Sequence, residues 1–329
     1  MAPVATDVLI VSVGATTGWR AVARELGAAF ALAGVRVVTV DAGPVPEVRT
    51  FMLTDLAQAR AARLAAARAI TRHRPAAIVY CSITAALLWP APGAIWLDAL
   101  AAENRPGRHG LWQRPVERRR LARTPLVMTM ATGALAPLYG RPRPDEVVVP
   151  VAIDASGPLD GPRDIAAVAY AADPVKRRLD HVLDAWERAR RGDETLLVTG
   201  ATGPDRPGVR FLGRVAPTEY RGLLRRARVF LTAPRREDFG IGALEALADG
   251  AMLVTTPAAG AYPALALARA LDPRLVSEDL PTALRHALDD PPPDYAPRAA
   301  QLVAPYRRAA VAATLRSHVL PRLLPGWRT

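Results

Sequence analysis

Residues 229–256 read VFLTAPRREDFGIGALEALADGAMLVTT. Val229 to Thr232 is an apolar run of strand type, and Pro234 to Gly240 is a charged loop. A helix opens near Ile241, carries apolar residues at helical spacing and stops at Asp249-Gly250. Met252 to Thr255 is apolar again and reads as a second strand. A strand, a crossover helix and a strand make a βαβ unit, whose strands lie parallel.

The alternation extends both ways. Ile165–Tyr170, Leu196–Thr199 and Val209–Leu212 read as strands, with helices at Arg178–Arg190 and Pro217–Arg226. In the first half, Asp7–Val13 (DVLIVSV) is a buried-strand pattern followed by a Gly-bearing loop, Gly14 to Gly18. Trp19, Val22, Ala23, Leu26, Phe30 and Ala33 then recur at helical spacing until Gly34, and Val35–Val40 is the next strand. Thr54 is the expected N-cap of a helix running to Pro75. Strands are expected at Ala76–Tyr80, Ala94–Leu97 and Leu126–Thr129, and Val147–Ile153 closes the run. Asp154–Asp164, rich in Gly, Pro, Ser and Asp, is the best linker, and Ala299–Leu324 reads as mostly helical.

A chain of 329 residues suits two domains of about 150 residues each. The expected fold is α/β: two doubly wound Rossmann-like domains facing each other across a cleft. Their expected extents are 1–158 for the first domain and 159–298 for the second. A helical segment, 299–329, is placed to pack back on the first. Ligands of such folds bind at the carboxyl ends of the strands.

Composition excludes several classes. The one cysteine, Cys81, lies in an apolar run, so there is no disulfide framework or Cys-rich metal site, and a small buried hydrophobe is favoured over a nucleophile. The five histidines are scattered, and no metal site is expected. No basic region precedes an apolar stretch at the N-terminus, so a cytoplasmic location is expected. Pro75–Leu97 is uncharged for 23 residues, but Pro90, Pro92 and Gly93 interrupt it. It therefore reads as strand, short helix and strand rather than as a membrane span. The net charge of +12 raises nucleic acid as a partner, yet 31 acidic residues are interspersed and no DNA- or RNA-binding motif is present. No nucleic acid is expected. Residues 105–123 hold seven arginines against one acid, Glu117. That stretch suits anionic lipid headgroups, giving a peripheral contact with the inner membrane face, or an acidic acceptor; the alternative is a solvated helix face.

The loop before Ile241 carries the chemistry. Phe239, Gly240, Ile241 and Gly242 offer backbone N–H groups at a helix N-terminus, which attracts phosphate. Glu237 and Glu245 flank this cradle. Carboxylates are wrong for phosphate alone but suit vicinal hydroxyls. A diphosphate with polyols on both sides, a nucleotide-sugar, satisfies both demands. On the competing reading, Glu237 and Asp238 cap the helix and Glu245 is surface charge.

The segment resembles the Glu–seven residues–Glu motif of the family 4 retaining glycosyltransferases, which have the GT-B fold. The pattern E-x-F-G-x-x-x-x-E-A-x-A-x-G is met by Glu237, Phe239, Gly240, Glu245, Ala246, Ala248 and Gly250, and Thr255-Thr256 after the next strand also fits. Phe211-Leu212-Gly213-Arg214-Val215, followed by Glu219-Tyr220 and Leu223-Leu224, resembles the family's turn against the nucleobase, which implies donor contacts at Gly213 and Val215; a generic turn explains the same residues. Asp173–Asp180 resembles the segment whose Lys contacts the leaving diphosphate. Lys176 there is the only lysine in the chain, beside 42 arginines. A compact ammonium fits phosphate oxygens differently from a guanidinium fork; the bland reading is a solvated surface lysine. The chain departs from the family in having Ala169 and Tyr170 near its Gly-Arg and Arg177 in place of its Gly, so Arg177 or Arg178 would supply the second cation. Gly14 and Gly18 stand where the family has a Gly-rich first loop facing the donor, although a plain tight turn fits equally. Asp98 stands among the family's catalytic-cleft positions, and Asn104–Gly107 is an acceptor loop or an ordinary one.

The resemblance implies transfer of a sugar from a nucleoside-diphosphate sugar to an acceptor hydroxyl, with retention. Glu237 would hold the sugar hydroxyls, Glu245 the ribose and Lys176 the diphosphate. No Asp-x-Asp is present, so no metal clamp is expected, nor any cofactor besides the donor substrate. The rival readings are a sugar-nucleotide epimerase and a catalytically inactive GT-B-like ligand-binding or scaffolding protein.

Overall fold

The computed structural model describes residues 6–14, 17–46, 48, 50–105, 107–139 and 146–327. Ala15 and Thr16 of the first glycine loop and Pro106 of the Asn104–Gly107 loop lie outside the described residues. The chain divides into two compact units, one of residues up to Ala152 together with those from Arg308 on, the other Ile153–Arg307.

The first unit is built on six parallel strands: β1 (Val8–Ser12), β2 (Val37–Asp41), β3 (Ala77–Cys81), β4 (Ala94–Leu97), β5 (Val127–Thr129) and β6 (Val147–Val148), in the order β2-β1-β3-β4-β5-β6. Every residue of β1 is buried, as a central parallel strand covered on both faces requires. Leu9, Val11, Tyr80, Ile95 and Leu97 form the core with Ala59, Ala62, Ala66 and Ala69 of helix Phe51–His73. That helix starts before Thr54. Thr50 is its cap and accepts from the Leu53 N–H, while the Thr54 hydroxyl donates to the Val48 carbonyl at 3.2 Å. The uncharged run folds as β3, a short helix Ile83–Ala86 capped by Ser82, and β4. Among the described residues no helix is long and apolar enough to cross a membrane. Cys81 is buried, and burial pushes its thiol up.

The C-terminal stretch is broken rather than continuous. Tyr295–Leu302 belongs to the second unit; from Arg308 the chain belongs to the first, where Arg308 pairs with Glu25 at 2.7 Å and Arg316 reaches the Leu32 carbonyl.

The second unit has five parallel strands: β7 (Ile165–Tyr170), β8 (Leu196–Thr199), β9 (Val209–Gly213), β10 (Ala227–Thr232) and β11 (Met252–Thr255), ordered β11-β10-β7-β8-β9. The order turns back between β7 and β10, which makes their carboxyl ends the topological switch point. Helices Pro263–Leu271 and Leu280–Asp289, not picked out in the sequence, complete its packing. Residues 154–164 form no helix or strand, yet Ser156 is fixed: its N–H and hydroxyl donate to Asp249 at 2.7 and 2.9 Å.

Candidate active site

Two loops leave the switch point, 171–178 after β7 and 233–240 after β10. The Arg235 N–H donates to the Lys176 carbonyl at 3.1 Å and ties them together. The first loop is shaped by Asp173, which accepts the Lys176 N–H on its side chain at 2.9 Å and the Arg177 N–H on its carbonyl at 3.0 Å. Arg178 then takes a left-handed conformation (φ 47°) before helix Leu179–Ala189.

This turn aims two cations at Glu237. Arg177 Nη1 donates to Glu237 Oε2, and Lys176 Nζ lies 3.8 Å from Oε1. Glu237 is 5% exposed, and a carboxylate that deep needs such partners. Of the two candidates for a second cation, Arg177 is the one the structure brings to Glu237. Its guanidinium also lies 5.9 Å from the centre of the Tyr170 ring, a cation–π distance.

Glu237 is positioned by a loop that sequence reasoning missed. Its N–H donates to the Ala259 carbonyl at 2.9 Å, and its carbonyl accepts from the Tyr262 N–H at 3.2 Å. Gly260 sits at φ +99°, where a Cβ would be 2.2 Å from the Glu237 carbonyl oxygen. Tyr262 holds φ 27°, a strained value for a non-glycine residue. Its ring packs against Gly240 so closely that a Cβ there would meet it at 2.8 Å. The only signals in the sequence were Gly260 and the Tyr262-Pro263 step.

Gly240 is the left-handed N-cap (φ 81°) of helix Ile241–Ala248, and no side chain caps that helix. The capping reading of Glu237 and Asp238 is thereby answered: Glu237 is taken by the cations, and Asp238 accepts from Arg236 at 2.7 Å. The first N–H groups of the helix, from Ile241 and Gly242 onward, keep their donor capacity and the positive end of the dipole. The Phe239 ring is buried against Tyr306, so this residue can offer a ligand its backbone and not its ring.

Glu245, one turn into the helix, lies 3.6 Å from Arg221 Nη1. Arg221 also donates to the fully buried Asp249 at 2.6 Å and to the Asp154 carbonyl at 2.8 Å. It is a positioning residue with no signal in its local spacing. Tyr220 beside it has a buried hydroxyl with no partner among the described residues, next to Gly242; burial holds the phenol well above its ordinary pKa. Gly213 ends β9 at φ +61° on the same carboxyl edge, its carbonyl accepting from the Gly200 N–H at 2.7 Å, and Val215 follows half-buried.

The remaining candidates belong to the first unit. Gly14 (φ +63°) follows β1 and is held against Asp41, whose Cβ a Gly14 side chain would meet at 2.9 Å. Gly18 lies in helix Thr17–Leu32 and not in the loop. Asp98 follows β4 and accepts the Ala99 N–H at 2.9 Å. Arg105 is committed to the buried Asp55 through bonds of 2.6 and 3.0 Å. In the second unit, a cavity of about 610 Å³ lined by Arg163, Glu194 and Arg210 opens near the start of β7, the wrong end of the sheet for a ligand of this fold.

Residues 162–290 match the sequence model of the family described as Glycosyl transferases group 1. No curated protein matches the chain. Among solved structures it is similar to a sucrose-phosphate synthase from Thermosynechococcus elongatus, at 16% identity and TM-score 0.71, over 95% of this chain and 97% of that one. It is also similar to WaaG, a glycosyltransferase involved in lipopolysaccharide biosynthesis, at 15% identity and TM-score 0.61, over 97% and 99%. An α,α-trehalose-phosphate synthase (UDP-forming) from Burkholderia xenovorans matches at 16% identity and TM-score 0.59, over 80% and 76%. With strand order and switch-point loops in agreement, the second unit carries the match to the glycosyl transferases group 1 family, and the chain has the GT-B fold of the glycosyltransferases it is similar to.

Proposed function

We propose that the chain transfers a sugar from a nucleoside-diphosphate sugar to an acceptor hydroxyl, with retention and without a resident metal or cofactor. The observation that carries this is the meeting of Lys176 and Arg177 with Glu237 beside the uncapped helix start at Gly240. These cations and N–H groups suit a departing diphosphate, stabilising charge as it develops. The bond from the anomeric carbon to the phosphate oxygen breaks, the acceptor oxygen takes its place, and the acceptor proton goes to the departing diphosphate. Glu237 binds the sugar hydroxyls and Glu245 the ribose. Retention, implied by the family resemblance, fits a Glu237 whose carboxylate is occupied by two cations rather than free to act as a base. A cytoplasmic location, where such donors are made, belongs to the same reading.

An inactive, ligand-binding homologue is the second reading, favoured by Tyr170, a neutral ring near the place of the family's cation. Nucleotide-sugars are screened first by thermal shift, and release of nucleoside diphosphate is then followed with sugar and lipid-linked acceptors. Release that depends on acceptor and persists in EDTA supports metal-free transfer. Turnover lost to EDTA and restored by Mg²⁺ replaces it with a metal-assisted one. Donor binding without turnover supports the inactive homologue.

A further inference from the structure

Phe51 (65% exposed) and Leu111 (66%) are, after Val175, the most exposed large hydrophobic side chains described, and they lie at one corner of the first unit. Phe51 meets His109 edge to face at 5.8 Å, and Trp112 Nε1 donates to the Met52 carbonyl at 3.2 Å. The turn Gly107–Gly110 and the start of helix Gln113–Arg123 therefore lie against the first turn of helix Phe51–His73, with Leu111 between those two contacts. Beneath them the buried Asp55 joins Arg105 and Gln113, so the corner is firmly built while its apolar tips face water.

Among the described residues, the exposed charge on the stretch 107–123 is basic. Arg108, Arg118, Arg119 and Arg123 are exposed and make no ion pair among the described residues. The single acid of the stretch, Glu117, is turned inward: it is 3% exposed and accepts the Ala101 N–H at 2.9 Å. Helix Gln113–Arg123 thus presents Pro115, Arg118, Arg119 and Ala122 outward with no carboxylate among them.

We propose that this corner docks the protein on an anionic phospholipid bilayer, with Phe51 and Leu111 entering the headgroup boundary and the arginines resting on lipid phosphates. A bilayer presents anions in a plane with hydrocarbon directly beneath, which is what protruding apolar tips beside unpaired guanidinium groups complement. The inference stands on the first unit alone and does not depend on the transfer reaction.

The test is flotation of the full chain with vesicles of neutral phospholipid, with and without roughly 30% anionic lipid, at low and high salt. Binding is expected to the anionic vesicles and to weaken with salt. Arg118→Ser/Arg119→Ser should lower the partition roughly 25-fold, since about 1 kcal/mol per charge near such a surface is about fivefold each. Phe51→Ser/Leu111→Ser should lower it about tenfold or more. Leu64→Ser, exposed further along the same helix, should change nothing. Absence of flotation, equal binding to neutral vesicles, or anionic binding untouched by both pairs would overturn the proposal. So would self-association in solution that the same variants abolish while vesicle binding is absent.

Discussion

Arg177 and Glu237, 60 positions apart in the chain, are bonded across the gap between the loops that follow two neighbouring strands, and Lys176 stands 3.8 Å from the other oxygen of the same carboxylate. The buried acid and the two cations form one electrostatic unit, so removing one member exposes the others to a low-dielectric penalty. Arg177→Gln should lower stability by about 3 kcal/mol and donor affinity with it. Arg177→Gln/Glu237→Gln, which leaves no buried charge unpaired, should regain most of the stability but not turnover. Thermal melts and initial rates of the two variants separate the effects. A single variant with both properties of the wild type would remove Arg177 from the site.

Glu245 and Arg221 are close together but should fail differently. Glu245→Ala should cost about 1–3 kcal/mol of donor affinity, the loss expected for unpaired ribose hydroxyls, with little change in melting temperature. Arg221→Ala strands the fully buried Asp249 as well, and should cost about 3 kcal/mol of stability in addition to donor affinity. Titration calorimetry and denaturation of both variants check this. An Arg221→Ala protein of unchanged stability would show that Arg221 does not support this network.

Glu117 makes a pH prediction. Burial raises its carboxyl from an ordinary 4.5 to about 7. The fold therefore prefers the neutral form, while the unfolded chain ionises normally. The stability this group allows is greatest below pH 4.5, falls as pH rises towards 7, and is level above that. Glu117→Gln keeps an oxygen for the Ala101 N–H but cannot ionise. The difference in stability between variant and wild type should widen by roughly 3 kcal/mol between pH 4.5 and 8. A pH-independent difference would show that the carboxyl is not buried as described.

The parts of this molecule that were legible in the sequence are those set by local pattern. Strands such as Leu196–Thr199 and Met252–Thr255 are buried on both faces and read as unbroken apolar runs. The Glu237-to-Gly250 segment was legible because cap, cradle and helix follow one another along the chain. Pro263 and Pro281 stand in the first turns of their helices, where proline is favoured, but in a bare sequence they look like breakers. Thr50 and Thr54 are equally good caps by composition; only backbone geometry chooses Thr50. Arg221 could not be found because Asp249 and Asp154, its bonded partners, lie 28 and 67 positions away. The same holds for the exposed corner of the first unit. The basic half at 105–123 was visible in the sequence, but its pairing with Phe51 is tertiary.

Lys176 is the sharpest test of the site. It is the only lysine beside 42 arginines, in a chain whose composition favours arginine at nearly every cationic position. Its backbone is held at both ends, the N–H by Asp173 and the carbonyl by the Arg235 N–H, so the reach of its side chain is fixed. The place on the near side of Glu237 is already filled by the Arg177 guanidinium. A second planar fork would compete with it for the carboxylate and crowd the diphosphate, whereas a compact ammonium can sit beside it. Lys176→Arg should therefore lower kcat about tenfold or more by misaligning the anomeric carbon, and Lys176→Ala should lower it further. Both variants should keep the wild-type melting temperature within a few degrees, because the Lys176 side chain is 43% exposed. Steady-state rates at saturating donor are the measurement. A Lys176→Arg enzyme with undiminished kcat would leave the lone lysine an accident of composition and return the leaving-group role to Arg177 and the helix start alone.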